Sequence, residues 1–407
     1  MVKGPDAPAP GGVSRRDALL AAGGLAVGAA SAALLPRLGG SPGPSTTNAA
    51  VPGAPAGSPV DPTGGHQAGI ARPSTPQQHT LVAVLDFADR GAPTFVVALE
   101  ARLAAVTAVI LSFAGHADPS PVAPDGAGDL SVTLGLGSAL VSALDPRLPG
   151  AAGLPLFVGD DAIATERLGG DVLVGVCAEN PGLLSPALAA VISALETATV
   201  RWQQLGFRSP GEGTIARNPL GYHDGVIVPR GDAELDRDVW IPDGPAAGGT
   251  ICVVRQLRLD VAAFAAEAPE RQDEIMGRRR GDGAPLSGGG PLDEVNLRAK
   301  TESGRFVTPS RSHARAAHPS FTGSHLMLRR GYAYANGPVM TPGGRRVDDQ
   351  GLLFICFQRE LDDFTRTQRR LDELDDLMGY ATPVASGAFL VLPGFTARRP
   401  LGSGLFP

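Results

Sequence analysis

The sequence predicts an α+β fold built from two units of split β-α-β type, with antiparallel sheets and peripheral helices. Three observations predict it. Between residues 81 and 207 the hydrophobic pattern runs strand, helix, strand, strand, helix, strand. A similar order returns between residues 250 and 394. The 407 residues are also enough for two ordinary domains.

In the first unit, LVAVLDF (81–87) is an apolar run of strand length, and 93–113 repeats apolar positions at helical spacing. SVTLGLG (131–137) and DVLVGVC (171–177) read as strands, 183–198 as a helix and TVRWQQLGF (199–207) as a strand. In the second, TICVVRQLRLDV (250–261) is a strand and a helix follows near 261–277. SHLMLRRGYAY (324–334) and GLLFICFQREL (351–361) read as strands, 359–379 as a charged amphipathic helix, and AFLVLPG (388–394) as the last strand. No sequence repeat accompanies this duplication of order. The expected units are 65–215 and 216–407.

Hydrophobic residues make up 43% and charged residues 19%, which excludes a wholly disordered chain and a polytopic membrane protein. The formal charge of −6 and the 5% aromatic content give no footing for nucleic acid as a partner. Cys177, Cys252 and Cys356 each sit in an apolar run, too far apart for a CxxC site, and read as buried small hydrophobes.

Arg15 and Arg16 precede a mostly Ala/Gly apolar stretch from Ala18 to Leu35, with Ala30-Ser31-Ala32 as a small-x-small cleavage site. Residues 1–35 therefore resemble a twin-arginine export signal, which implies the twin-arginine translocase as a partner and a periplasmic or extracellular destination. If uncleaved, the 18 apolar residues are just long enough to tether the chain in a bilayer. Residues 36–64 are Pro/Gly-rich, without hydrophobic period, and read as a disordered linker.

The seven histidines form no zinc or di-iron motif, and no P-loop, Gly-x-Ser-x-Gly or dinucleotide turn follows a strand. Three segments stand out. ARNPLGYHDGVIVPR (216–230) carries Asp224-Gly225, which taken alone is an ordinary turn dipeptide. PSRSHARAAHP (309–319) places His313 and His318 among arginines, as a basic surface patch would. HLMLRRGYAY puts Arg329 and Arg330 inside an apolar strand, where an arginine needs a partner or a cavity.

Together these segments resemble the dye-decolourising peroxidase family, in particular its exported, twin-arginine subgroup related to deferrochelatases. GGHQAGI (64–70), SVTLGLG, GDVLVGVCAEN (170–180), NPLGYHDG (218–225), IMGRRRGDGAPLSGG (275–289), SHARAAHP (312–319), LMLRRGYAY (326–334) and DQGLLFICFQREL (349–361) occur in the family's order. The resemblance implies two ferredoxin-like domains, as in a dimeric α+β barrel, and one haem b per chain. It implies hydrogen peroxide and organic electron donors such as dyes and phenolics as substrates; a homo-oligomer is compatible with it. His313 matches the proximal iron ligand, with His318 as the lesser alternative. Asp224 matches the distal aspartate and Arg329 the distal arginine, with Arg330 as its rival. Gly225, Val226, Ile227, His318, Pro319 and Ser320 fall at haem-lining positions. Two departures accompany the match: His318-Pro319-Ser320 stands where the family often shows Asn-Pro-Arg, and His223 precedes the aspartate.

These residue types suit peroxide cleavage. A carboxylate over the haem can move one proton from the inner to the outer oxygen, and Asp224 is expected to do so near or somewhat above the ordinary aspartate value of about 4. Arg329 can stabilise charge on the departing oxygen. The second ring nitrogen of His313 is expected to donate to a carboxylate, for which Glu360 is the candidate; a surface carboxylate at a helix start is the alternative. Tyr332, Tyr334, Tyr380, Trp202 and Trp240 are candidate radical carriers to the surface, or simply core. A haem-handling protein that binds haem or removes its iron, with incidental peroxidase activity, is the rival function.

Overall fold

The computed structural model describes residues 57–114, 120, 122–211, 213–341 and 343–406. The expected leader 1–35 and the linker up to residue 56 lie outside them. The first half runs β1 (His79–Phe87), α1 (Phe95–Phe113), β2 (Ser131–Gly137), α2 (Ser138–Leu144), β3 (Val172–Ala178), α3 (Leu184–Ala194) and β4 (Ala198–Phe207). Two short strands, β5 (Ala216–Arg217) and β6 (His223–Asp224), and α4 (Gly231–Asp238) lead into the second half. It contains β7 (Thr250–Leu259), α5 (Val261–Ala266), α6 (Pro269–Met276), α7 (His313–Ala316), β8 (Leu328–Arg329), β9 (Tyr332–Met340), β10 (Arg346–Gln358), α8 (Leu361–Leu374) and β11 (Ala381–Val391).

Nine strands form one antiparallel sheet in the order β7-β11-β2-β3-β1-β4-β9-β10-β8, and the additional β7–β10 pairing closes it into a barrel, while β5 and β6 pair separately. The first half contributes β2-β3-β1-β4, and the second β9-β10-β7-β11 with the short β8 beside β10. The two seams are thin: β4 meets β9 through the single bridge Phe207–Ala333, and β11 meets β2 only over Phe389–Val391. At the second seam the buried Gln67 adds what the ladder lacks. Its amide donates to Leu134 O (2.9 Å) and Leu392 O (2.8 Å) and accepts from Leu134 N (2.9 Å).

Strand alternation sorts the side chains. Leu81, Ala83 and Leu85 of β1 enter a core with Leu99, Leu103 and Val106 of α1, while Val82 and Val84 point into the barrel. The helix stripe Phe95, Leu99, Leu103, Val106, Ile110 follows the 3.6-residue period. In the second half, Leu353 and Ile355 of β10 fill the barrel, whereas Leu352 and Phe354 face outward into a cavity roofed by α7 and α8.

The structure breaks three expected elements. The helix near 261–277 is two helices, because Pro269 forces Ala268 out of helical backbone (φ −58°, ψ 144°). The strand at 324–334 begins only at Leu328 and pauses at Arg330-Gly331, although Cys356–Arg329 and Leu353–Tyr332 keep one register. The charged helix at 359–379 stops at Leu374, and 3-10 backbone runs over Asp376–Tyr380. Tyr332, Tyr334, Trp202 and Trp240 are buried, as core packing requires, and the half-buried Tyr380 donates to Glu267 (2.7 Å). The three cysteines are free, two of them buried.

Candidate active site

The outward cavity of the second half is walled by apolar side chains, among them Leu257, Leu259, Leu352, Phe354, Leu371 and Leu377. Its empty volume is about 1540 Å³, the open mouth included. Asp224, Gly225, Val226, Ile227, His313, His318, Pro319 and Arg329 all line it. Ser320 does not: it is exposed, and its N–H instead donates to His318 Nδ1 (3.2 Å). The chain turns away from the cavity after Pro319.

Asp224 is placed by local backbone. Asn218 Oδ1 accepts from Leu220 N and Tyr222 N (both 3.0 Å), which folds 218–222 into a tight loop. Tyr222 OH anchors the loop to α6 through Asp273 (2.7 Å). Gly221 and Gly225 have positive φ (87° and 80°). A Cβ on Gly225 would lie 2.4 Å from Thr214 O, so only glycine allows this turn. Gly225 N donates to Asp224 Oδ1 (2.6 Å), which also accepts from Arg329 Nη2 (3.3 Å) and Nε (3.4 Å). Asp224 Oδ2 has no hydrogen-bond partner among the described residues.

Burial pushes the Asp224 carboxyl up, but the charges of Arg329 and His313 and the Gly225 N–H outweigh it. Its pKa lies below the ordinary aspartate value. This corrects the expectation of a value near or above it, and His223 is not among the groups that set it. The structure also separates the two arginines. Arg329, on the outward face, donates to Asp224 and to Ile227 O (2.9 Å). Arg330 points into the barrel, where it donates to Ile70 O and to Pro73 O (2.7 Å).

The two histidines of 309–319 hold opposite tautomers. His313 Nδ1 donates to Asp375 Oδ2 (2.6 Å), a carboxylate with no exposed surface. In the neutral ring that leaves Nε2 as the lone-pair nitrogen of a side chain that lines the cavity. Burial lowers the His313 pKa, but Asp375 and then Asp224 raise it further, for a net rise. His318 Nδ1 accepts the Ser320 N–H, so its proton resides on Nε2 and that nitrogen is a donor, not a ligand. Burial lowers the His318 pKa, which favours its neutral form.

Glu360 is not the partner of His313. It is the N-cap residue of α8 with a half-exposed side chain (56%), 4.0 Å from Arg359. Asp375 holds that place, just beyond the other end of α8. Reading 359–379 as one surface helix hid it. The available signal was a turn: Asp375 caps the 3-10 segment by accepting Leu377 N (2.9 Å). Also missed was a second histidine–carboxylate contact at the cavity, His325 Nδ1 to the buried Asp363 (3.3 Å).

An imidazole with a free nitrogen and an acid–guanidinium pair thus share one apolar cavity. The family models for the N-terminal and C-terminal parts of the Dyp-type peroxidases match residues 67–208 and 215–396. The chain belongs to the Dyp-type peroxidase family. Among its relatives, a dye-decolorizing peroxidase from Thermobifida fusca is 34% identical over 293 residues, 68% of this chain and 67% of the other. A deferrochelatase from Escherichia coli is 33% identical over 307 residues, 70% of each chain. Among solved structures, the X-ray generated oxyferrous complex of DtpA from Streptomyces lividans superposes with a TM-score of 0.76. It is 32% identical, and the match covers 86% of this chain and 98% of DtpA.

Proposed function

We propose that the chain is a haem peroxidase that reduces hydrogen peroxide and oxidises organic donors, dyes and phenolics among them, by one-electron steps, with one haem b bound in the cavity. The observation that carries this reading is that His313, Asp224 and Arg329 converge on one apolar chamber. The residues present fit the group: an imidazole of the ligating tautomer, apolar walls for a macrocycle, and a donor at His318 Nε2 for a polar edge. Haem bound there supplies the redox chemistry, drawing oxidising equivalents from peroxide and passing them singly to donors.

The chain's own residues do the rest. His313 would hold the iron through Nε2, and Asp375, by drawing on its Nδ1 proton, would make the imidazole a stronger donor. Asp224, whose pKa lies below the ordinary aspartate value, would accept a proton from peroxide at Oδ2 and return it to the oxygen that leaves as water. Arg329, held by Ile227 O, presents a permanent positive charge to the departing oxygen. Gly225, Val226, Ile227 and Pro319 line the chamber and limit water.

The absorption spectrum of purified protein, before and after one equivalent of peroxide, tests this. A Soret band that shifts on addition is expected; protein that takes up no haem when porphyrin is plentiful overturns it. The deferrochelatase relatives favour a second reading, removal of iron from haem. Metal-free porphyrin formed anaerobically without peroxide would support that reading over the first.

We read the chain as a leader (1–35), a linker (36–64) and two halves (65–215 and 216–407), exported by the twin-arginine route to the periplasm or beyond. Arg15-Arg16, the Ala18–Leu35 stretch and Ala30-Ser31-Ala32 support the export reading, and the contiguous strands of each half support the division. Export lost on changing Arg15 and Arg16 to lysine is the expected result; unchanged export of that variant counts against it.

A further inference from the structure

Next to Asp375 lies a second carboxylate with a different set of partners. Asp376 Oδ2 accepts from Arg271 of α6 (2.7 Å), and Oδ1 accepts from Arg311, two residues before His313. Its backbone N–H donates to Arg311 O (3.0 Å). One residue therefore ties together the segment that carries His313, the turn that carries Asp375, and α6. The Asp376 side chain is 20% exposed and its two arginine partners 42% and 52%, so water screens these pairs only in part. Arg271 has one further carboxylate near it, Glu274 at 3.5 Å, and Arg311 reaches Glu373 O at 3.4 Å.

We propose that Asp376 is a positioning residue for the proximal pair: it takes up the charge of Arg271 and Arg311 so that Asp375 keeps its full negative charge for His313. The inference rests on the haem-peroxidase reading. The physics is a competition. Asp375 draws on the His313 Nδ1 proton in proportion to its own basicity, and a cation beside a carboxylate reduces that basicity. Two guanidinium groups anchored to the neighbouring residue would do so if nothing neutralised them. Asp376 is held ionised for the role: burial pushes its carboxyl up, but Arg271 and Arg311 bring it below the ordinary value. The arrangement also holds the segment bearing His313 in place through the Asp376 N–H and the Arg311 side chain.

The sign of the effect follows. With Asp376→Asn the two arginines lose their carboxylate, Asp375 becomes a poorer acceptor, and His313 becomes a weaker donor to ferric iron. The reduction potential of the bound haem rises, and the iron–imidazole stretching frequency of the ferrous form falls. Arg311→Gln removes a cation and shifts both readouts the opposite way. The double variant, Arg311→Gln with Asp376→Asn, restores the net charge of the cluster and returns the potential to the wild-type value.

The test is redox titration and resonance Raman spectroscopy of the haem-loaded wild type and the three variants. Opposite shifts in the single variants, cancelling in the double, are the expected result. Single variants that leave the potential unchanged, or a double variant as displaced as Asp376→Asn alone, overturn the proposal and leave Asp376 a merely structural residue. Should Asp376→Asn not fold, the sign of the Arg311→Gln shift decides: a rise or no change overturns it. Wild-type protein that binds no haem overturns the haem-peroxidase reading, and this inference with it; a normal wild-type spectrum with unshifted variants removes this inference alone.

Discussion

His313 and Asp375 are 62 positions apart in the chain and 2.6 Å apart in space. The contact sets the tautomer of the histidine and leaves its Nε2 for the cavity. Replacement of Asp375 by Asn keeps the shape and removes the charge. We expect haem affinity or peroxide turnover to fall by about 10–100-fold, as for other outer partners of metal-bound histidines. Haem dissociation kinetics and steady-state rates check this.

The opposite tautomers of His313 and His318 predict opposite variant behaviour. His313→Ala is expected to lose axial ligation, seen as loss of the ferrous iron–imidazole stretch. His318→Ala is expected to retain it, because its Nδ1 is engaged by Ser320 N and its Nε2 carries a proton.

Arg329→Leu removes the charge that faces the departing oxygen and leaves the His313 side intact. Haem binding should persist, while the first step with peroxide slows by about 10²–10³-fold. Stopped-flow absorbance after peroxide mixing measures that step, and unchanged kinetics would refute the role.

The pH dependence has a definite sign. Asp224 has a folded-state pKa below the ordinary aspartate value, so its base form persists as pH falls through 3.8 and is lost only below that. The acid limb of kcat/KM should therefore lie below the ordinary aspartate pKa. Removal of the Arg329 charge leaves burial less opposed, so the limb of the residual activity in Arg329→Leu moves to higher pH. Asp224→Asn should abolish the limb. A limb unmoved by Arg329→Leu would count against this account.

Arg255 and Asp160 form an ion pair with side-chain exposures of 2% and 1%, joined by two bonds of 2.9 and 2.6 Å. Asp160→Ala leaves a buried charge unpaired and should destabilise the protein by about 3–5 kcal/mol. Urea unfolding checks this, and a double variant with Met at position 255 should recover much of the loss.

The sequence alone determined the strand and helix order, because hydrophobic period is a local property and both units alternate on it cleanly. It also determined the turn around Asp224: Gly221 and Gly225 sit at positive φ, a demand that shows in residue type. The choice between Arg329 and Arg330 needed one further fact, which face of β8 looks outward. Tertiary structure alone decided the rest. The charged stretch 359–379 looks like one solvent-facing helix until folding buries Asp375 against His313. Ser320 leaves the cavity because the chain turns after Pro319. The depressed pKa of Asp224 arises from Arg329 and His313, both distant in sequence. Charge and hydrogen-bond partners act through space with a reach of a few ångströms, and a linear pattern carries no record of which distant residues the barrel will bring within it.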